Sequence, residues 1–342
     1  MQAVKQVFSF ITFRKLVNAF RLVSSYQLSR WMKKNMHGGM PMSIAIEPTT
    51  ACNLGCPECP SGLKKFTRPT GNLQKQLFQK VLDEIGQYLI NVTFYFQGEP
   101  YIHPQFLDLV QMASNKKIFT STSTNAHFIT KEVAEKTVQS GLSQMIISID
   151  GTTQEIYEQY RKKGDLNKVL AGAKEMIAAK DRLKSASPKI IFQFLVVKPN
   201  EHQIEDAKRL SEELGFDEIR FKSAQLYEYE NGNELMPSNE EYRRYRQLKS
   251  GKWIIKNKME NHCWKMWHST VVTWDGKLVP CCFDKDATHQ LGNVNGATTV
   301  FKDIWNGQKY QLFRTAVLKG RKNIDICRNC TEGSKVWLEE AL

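Results

Sequence analysis

The chain has 342 residues, of which 41% are hydrophobic and 24% charged, so it is neither a low-complexity nor an extremely hydrophobic protein. This length suits one large domain with something smaller attached. The net charge of +13 is uneven, because residues 1–46 carry seven Lys or Arg and the first acidic residue is Glu47.

Residues 1–40 are predicted to form a basic amphipathic helical segment. A helical projection places apolar side chains on one face, namely Phe10, Phe13, Leu16, Val17, Phe20 and Val23. The opposite face carries Arg14, Lys15, Asn18 and Arg21. Such a helix can lie on an anionic membrane surface or pack its apolar stripe on the protein, and periodicity alone does not distinguish the two. It is too interrupted by charge for a membrane span and lacks a signal-peptide cleavage site. A cytoplasmic protein is predicted, with peripheral contact at the inner membrane face through residues 1–35 as one alternative.

Residues 41–225 alternate short β-rich runs with helical patterns. The predicted strands are 43–47, 91–96, 117–124, 143–149, 189–197 and 218–223. The predicted helices lie near 73–90, 104–115, 130–140, 153–180 and 201–214. This alternation predicts an α/β fold with a parallel sheet, either open and doubly wound or closed into a partial barrel. In both, the loops that leave the carboxyl ends of the strands form the active site.

Three cysteines follow the first predicted strand in the stretch "ACNLGCPECP", as Cys52, Cys56 and Cys59. Clustered thiolates select zinc or iron–sulfur. A structural zinc ion needs four ligands, usually as two close pairs. A [4Fe–4S] cluster held by three cysteines instead leaves one iron open for a substrate or cofactor. The triplet therefore favours a three-cysteine cluster, with zinc as the alternative.

Further short motifs follow the next three strands: "QGEP" at 97–100, "TNA" at 124–126 and "SIDG" at 148–151. With the cysteine triplet, they resemble the radical S-adenosylmethionine (SAM) enzymes over residues 43–225. The resemblance implies a partial (β/α)6 TIM-like barrel and SAM contacts from Gln97, Gly98, Glu99, Asn125, Ser148 and Arg161. Two positions depart from the family pattern. Glu58 stands where an aromatic residue is usual, and Ala126 replaces a glycine.

The alternation stops near residue 225, and residues 226–262 read as a polar linker with some helix. Residues 263–342 hold the other five cysteines and are predicted to form a small domain organised by metal more than by an apolar core. The spacing of Cys263, Cys281, Cys327 and Cys330 resembles the SPASM and twitch subfamily, which implies one auxiliary [4Fe–4S] cluster; a zinc ribbon is the alternative. The remaining thiol, Cys282, is predicted to be a small buried hydrophobe, with hydrogen-atom donation as the alternative.

By this resemblance the protein is an enzyme that cleaves SAM reductively at the three-cysteine cluster. The resulting 5′-deoxyadenosyl radical would take hydrogen from a C–H bond of a small-molecule or lipid-linked substrate, and the auxiliary cluster would assist dehydrogenation or epimerisation. An electron donor such as flavodoxin or ferredoxin is implied. A peptide or protein maturase of the same subfamily is the alternative. A zinc-stabilised basic nucleic-acid-binding protein is the rival from another class; the main interpretation involves no nucleic acid. The sequence assigns no catalytic acid, base or hydrogen donor.

Overall fold

The computed structural model describes residues 10–331 and 337–340, and its centre is a sheet of parallel strands joined by helices. The strands of this part are β1 (Ser43–Ile46), β2 (Asn91–Thr93), β3 (Phe119–Thr124), β4 (Gln144–Ser148), β5 (Lys189–Val196) and β6 (Glu218–Ser223). The helices are α1 (Phe13–Met32), α2 (Pro60–Leu63), α3 (Lys75–Ile85), α4 (Phe106–Asn115), α5 (Lys131–Gln139), α6 (Gln154–Tyr160), α7 (Leu166–Arg182) and α8 (Ile204–Leu214).

Strands β1 to β6 pair in sequence order and all run parallel, which confirms the predicted partial barrel. β4 is buried along almost its whole length, as expected for a strand covered on both faces. The predicted helix 153–180 is in fact two, α6 and α7. The break has a local cause, because the Asp165 carboxylate accepts the backbone N–H of Lys168 and so begins a new helix.

Residues 226–262 form a covering layer and were wrongly predicted as a polar linker. They contain a two-stranded antiparallel hairpin of β7 (Tyr245–Gln247) and β8 (Trp253–Ile255). Leu226, Leu235 and Met236 are buried in a small apolar cluster that also includes Leu54 and Cys56 of the cysteine loop. The segment therefore shields one side of that loop from water.

The C-terminal segment continues the barrel sheet at both edges. Its strands are β9 (Ser269–Val272), β10 (Lys277–Val279), β11 (Gly292–Asn293) and β12 (Trp337–Glu340), and its helices are α9 (Lys265–His268), α10 (Phe301–Trp305) and α11 (Gln308–Gly320). β9 runs parallel to β1, whereas β12 runs antiparallel to β6. Trp267, Trp305 and Tyr310 are fully buried in the main core. The prediction that metal outweighs an apolar core here was therefore wrong.

Helix α1 packs against the body through its polar face. Lys15, Asn18 and Tyr26 are buried, whereas Phe13 and Phe20 are exposed. The alternative in which the apolar stripe packs on the protein is therefore wrong. Residues 1–9 of the predicted segment lie outside the described residues. Among the residues that the structure describes, none belongs to a helix with the length and apolarity needed to cross a membrane.

Candidate SAM and iron–sulfur site

The cysteine loop runs from the carboxyl end of β1 into the short helix α2. Cys56 is buried, and Cys52 and Cys59 are half-buried. Backbone hydrogen bonds hold the loop in place. The Gly55 N–H donates to the carbonyl oxygen of Lys162 at 2.9 Å, and the Leu63 N–H donates to the carbonyl oxygen of Cys59 at 2.9 Å. All three cysteines line one cavity of about 260 Å³ at the carboxyl ends of the strands.

Burial is the largest influence on the acidity of two of these thiols, Cys52 and Cys56. It raises the pKa of the Cys52 thiol to about 12 and also raises that of Cys56. Within residues 10–331 and 337–340, no three His, Cys, Asp or Glu side chains are grouped so that they share one metal ion. A cubane cluster makes a different demand, because each cysteine binds its own iron and the ligands stand further apart. Buried soft ligands around one cavity fit such a cluster.

The "QGEP" motif closes tightly on the cysteine loop. Gly98 has φ +75°, and a Cβ there would lie 2.2 Å from the carbonyl oxygen of Thr49. The Gly98 N–H donates to Ser61 Oγ at 2.8 Å. The next N–H, of Glu99, donates to the carbonyl of Ala51 at 2.7 Å. Only glycine allows this approach of two backbones, so the motif fixes the wall of the cavity.

Glu99 is a buried carboxylate at the wall of the same cavity. It accepts the Thr124 hydroxyl at 2.7 Å and the Asn125 backbone N–H at 2.8 Å. The Asn125 side chain in turn donates to Asn53 Oδ1 of the cysteine loop at 2.8 Å. The "QGEP" and "TNA" motifs are thus joined to each other and to the loop by direct hydrogen bonds.

Arg161 brings positive charge to the cavity from the end of α6. Its Nε donates to Asp150 at 2.5 Å, and its Nη1 lies 3.9 Å from Cys56 Sγ. The neighbouring anions, chiefly Asp150, hold the pKa of Arg161 well above its ordinary value despite burial. Ser148 also lines the cavity, at the end of β4.

All six predicted SAM contacts therefore line the one cavity with the three cysteines; they are Gln97, Gly98, Glu99, Asn125, Ser148 and Arg161. The cavity offers a buried carboxylate, Glu99, and a partly exposed guanidinium, Arg161. That pair of charges suits the ammonium and carboxylate of an amino acid, which is one end of SAM.

Several lining residues were missed by sequence reasoning. Tyr95 and Lys285 also line the cavity. Lys285 comes from the C-terminal segment, and no local pattern could have placed it there. One residue beside the lining was missed as well: Asp150, which pairs with Arg161, lies within "SIDG", but the resemblance pointed only to Ser148 and Arg161.

Glu58, which stands where an aromatic residue is usual, holds the covering layer. Its carboxylate accepts the Tyr227 backbone N–H at 2.9 Å. This carboxyl group is half-buried, and its burial raises its pKa. The residue therefore links the cysteine loop to residues 226–235.

A second set of cysteines lies in the C-terminal segment. Cys263, Cys281, Cys327 and Cys330 line one small cavity. Arg321 also lines it, and its Nη2 lies 3.0 Å from Cys330 Sγ. Burial raises the pKa of the Cys327 thiol to about 11. Three buried thiols and the half-buried thiol of Cys281, with an adjacent guanidinium, are a donor set that fits a fully ligated, negatively charged cluster.

Cys282 does not belong to that set. It is exposed, so the prediction of a small buried hydrophobe was wrong. Its Sγ lies 3.8 Å from the ammonium of Lys265.

Comparison with known proteins agrees with this geometry. Residues 46–211 match the model of the radical SAM superfamily, and residues 263–331 match that of SPASM, an iron–sulfur cluster-binding domain. The "tungsten-containing aldehyde ferredoxin oxidoreductase cofactor-modifying protein" of Pyrococcus furiosus is 25% identical over 306 residues, which cover 79% of this chain and 82% of that protein. The mycofactocin maturase MftC of Mycobacterium ulcerans is 29% identical over 187 residues, which cover 54% of this chain and 48% of that protein.

Solved structures share the fold. BtrN in complex with AdoMet and 2-DOIA aligns with a TM-score of 0.53 and 17% identity, covering 88% of this chain and 99% of BtrN. Native anSMEcpe with bound AdoMet aligns with a TM-score of 0.62 and 17% identity, covering 86% of this chain and 91% of anSMEcpe. The two family matches show that the chain is an enzyme whose cofactors are [4Fe–4S] clusters and SAM. It belongs to the radical SAM superfamily and carries a C-terminal SPASM domain.

Proposed function

We propose that Cys52, Cys56 and Cys59 hold a [4Fe–4S] cluster whose open iron binds SAM in the cavity at the ends of β1 to β4. The single cavity shared by these cysteines and the six predicted SAM contacts supports this proposal. With one electron from a donor such as flavodoxin or ferredoxin, the cluster and SAM held by these residues would supply a 5′-deoxyadenosyl radical, with methionine as the other product, and that radical would take a hydrogen atom from a substrate C–H bond.

The residues around the cavity position SAM and exclude water. Glu99 binds the methionine ammonium, with the backbone of Gln97 and Gly98 beside it, while Arg161 and Ser148 face the carboxylate or the ribose. Asn125 holds the two walls together through Glu99 and Asn53. The apolar cluster around Leu226 and Leu235 keeps water from the cysteine loop, which protects a reactive radical from side reactions.

The second proposed centre is an auxiliary [4Fe–4S] cluster on Cys263, Cys281, Cys327 and Cys330. Since all four of its irons would carry protein ligands, it would accept an electron from the substrate radical and not bind SAM. Such an oxidation completes a dehydrogenation or an epimerisation. The proposed organisation is residues 1–40 for the N-terminal segment, 41–225 for the barrel, 226–262 for the covering layer and 263–342 for the SPASM domain.

The proposed substrate is a small molecule, amphiphilic or lipid-linked, and nucleic acid is not a proposed partner. The Pyrococcus furiosus relative, whose length is largely covered, is named for modifying a cofactor. The proposal also includes contact of residues 1–35 with the inner face of the membrane, because the apolar face of α1 is exposed.

A peptide or protein maturase is the second candidate. MftC is named as a maturase, and the PqqA peptide cyclase of Bradyrhizobium diazoefficiens is 27% identical over 202 residues, which cover 58% of this chain and 51% of that protein. The chain spans about half the length of each. A peptide substrate would need an extended binding surface leading to the cavity.

Measurements of iron content and of SAM cleavage test the two proposed clusters separately. The protein, purified without oxygen, is expected to hold about eight irons and eight sulfides. Cys56→Ala and Cys327→Ala are each expected to lose about four irons. Only Cys56→Ala should lose deoxyadenosine formation with dithionite and SAM. A colourless zinc protein would favour the zinc-stabilised rival, and clusters without SAM cleavage would overturn the proposed reaction.

The substrate class needs its own experiment. Deoxyadenosine formation by the holoenzyme is measured with small metabolites, amphiphiles and short peptides, each also in deuterated form. Deuterium in the deoxyadenosine identifies the molecule that loses hydrogen. Transfer from a peptide alone would replace the small-molecule proposal by the maturase.

A further inference from the structure

The outer face of helix α1 carries a row of exposed apolar side chains, interrupted by the exposed Ser24 and Gln27 before Trp31. The exposed fractions of Phe13, Phe20 and Trp31 are 80%, 72% and 82%, and Leu16 and Val23 between them are also exposed. These five positions recur with helical spacing over the 20 residues of the helix, a length of about 30 Å. Single exposed apolar side chains are ordinary, but an aligned row of this length marks an interaction surface.

Specific polar contacts hold this face outward. The Lys15 ammonium donates to the carbonyl of Lys117 at 2.9 Å. Asn18 and the backbone of Met40 exchange two hydrogen bonds of 2.8 Å. Tyr26 hydrogen-bonds His262 at 2.8 Å. Rotating the helix to bury its apolar row would break all of these buried contacts, so the exposure is built into the fold.

Positive charge surrounds the apolar row. Arg14, Arg21 and Arg30 are exposed along the helix, and Lys33 and Lys34 are exposed just after its end. Residues 10–46 contain no acidic residue. An apolar row with basic flanks matches the interface of a bilayer with anionic headgroups, where arginine and lysine reach the phosphates and the aromatic rings enter the acyl boundary.

We propose that the face formed by Phe13, Leu16, Phe20, Val23 and Trp31, with its basic flanks, docks helix α1 flat on an anionic lipid bilayer. A second copy of the chain is a poorer occupant, because a two-fold contact would bring the same arginines together. This inference rests on the membrane contact included in the proposed function. It adds which face of helix α1 makes the contact and that the lipid is anionic.

The docked orientation turns the active site away from the bilayer. Lys15 and Asn18 bind backbone next to β3 and β1 on the amino-terminal side of each strand. The cysteine loop and Glu99 lie beyond the carboxyl ends of the strands. The contacts that hold the helix therefore lie at the opposite ends of the strands from the cavity.

Vesicle co-sedimentation of the full-length holoenzyme tests the docking. The protein is expected to sediment with vesicles of phosphatidylcholine and phosphatidylglycerol and much less with phosphatidylcholine alone. Phe20→Glu with Trp31→Glu should lower binding at least about tenfold, because charge replaces two inserted rings. Arg14→Gln and Arg21→Gln should each weaken binding to anionic vesicles by about fivefold. Leu248→Glu, at an exposed apolar site on the hairpin, is the matched control and should bind as wild type.

Tryptophan fluorescence tests the face directly. Brominated lipid in anionic vesicles should quench the wild-type emission, and Trp31→Phe should sediment normally but lose most of that quenching. Normal sedimentation of the Phe20/Trp31 double variant would overturn the proposal. So would a wild-type protein that does not sediment with anionic vesicles, or one that dimerises through this face. Iron content and SAM cleavage without lipid should stay unchanged in every variant, so failure here is distinct from failure of the proposed reaction.

Discussion

The guanidinium of Arg68 makes a bidentate ion pair with the carboxylate of Glu47, at 2.9 Å and 2.5 Å, and both side chains are almost fully buried. Glu47 follows β1, and Arg68 follows the cysteine loop. The same carboxylate accepts the backbone N–H of Trp274 in the SPASM segment at 3.2 Å. The pair therefore joins the barrel, the cysteine loop and the SPASM domain.

Removing one partner of this pair should be costly. Glu47→Gln leaves a buried, uncompensated guanidinium and is expected to lower the free energy of unfolding by about 3–5 kcal/mol. The double change Glu47→Leu with Arg68→Met should cost much less, because no charge is left buried. Anaerobic urea unfolding of Glu47→Leu, of Arg68→Met and of the variant with both changes measures this coupling. Additive costs would show that the pair is not coupled, and Glu132→Gln at an exposed pair is a control that should have no measurable effect.

A neutral residue at position 99 should weaken SAM binding. Glu99→Gln removes the buried charge proposed to bind the ammonium, so the affinity for SAM is expected to fall by about 10–100-fold. Burial raises the pKa of Glu99, so wild-type binding should also weaken as the pH is lowered, and the variant should lose that dependence. Equilibrium dialysis with anaerobic protein measures both effects. Glu175→Gln, on the surface of α7, is the control, and unchanged affinity in Glu99→Gln would exclude the proposed contact.

The barrel could be predicted from sequence because its signals are local. Each of the six strands is a short β-rich run, and the observed bounds depart from the prediction by no more than three residues. The motifs at 97–100 and 124–126 could be placed together for the same reason, since parallel strands bring their carboxyl ends to one edge.

The contributions from distant segments could not be predicted. Lys285 reaches the cavity only because β9 pairs with β1, a contact between residues more than 220 positions apart. The orientation of α1 also escaped prediction. Its periodicity identifies the apolar row, but Asn18 and Lys15 decide the packing by satisfying buried backbone carbonyls.

His37 should make stability depend on pH. Its Nε2 lies 3.1 Å from the carbonyl oxygen of Trp267, and its ring lies 5.2 Å from that of Trp305. Burial, aided by the nearby charge of Arg314, lowers the pKa of His37 to about 3. Below about pH 6.5 the unfolded chain binds a proton here that the folded chain does not, so stability falls by about 1.4 kcal/mol per pH unit between about 6.5 and 3.

Comparing the wild type with His37→Gln isolates this contribution. The amide of glutamine can donate to the Trp267 carbonyl at any pH, so the variant should lose less stability between pH 6.5 and 5.5, by about 1.0 kcal/mol. Urea unfolding at matched iron content measures the difference. Equal pH dependence in the two proteins would mean that His37 titrates normally in the folded state.

Alanine substitutions at Gly98 and Gly251 distinguish the cost of backbone strain from the cost of steric crowding. Both have positive φ, +75° and +84°. A Cβ at Gly98 would meet the carbonyl oxygens of Thr49 and Ala51 at 2.2 Å and 2.9 Å, whereas nothing lies within 4 Å of one at Gly251. Gly251→Ala should therefore cost only the left-handed strain, about 1–2 kcal/mol, and keep full SAM cleavage.

Gly98→Ala should in addition push the "QGEP" turn away from the cysteine loop. The new Cβ would clash with backbone oxygens, which cannot move aside as the end of a flexible side chain can. That shift moves Glu99 and the Ser61 contact, so deoxyadenosine formation and iron retention should both fall sharply. Both alanine variants are compared for iron content, unfolding free energy and SAM cleavage. If Gly98→Ala behaved like Gly251→Ala in all three, the close approach of the two backbones would have no role in the site. A loss of SAM cleavage with full iron retention would instead place the effect on SAM alone.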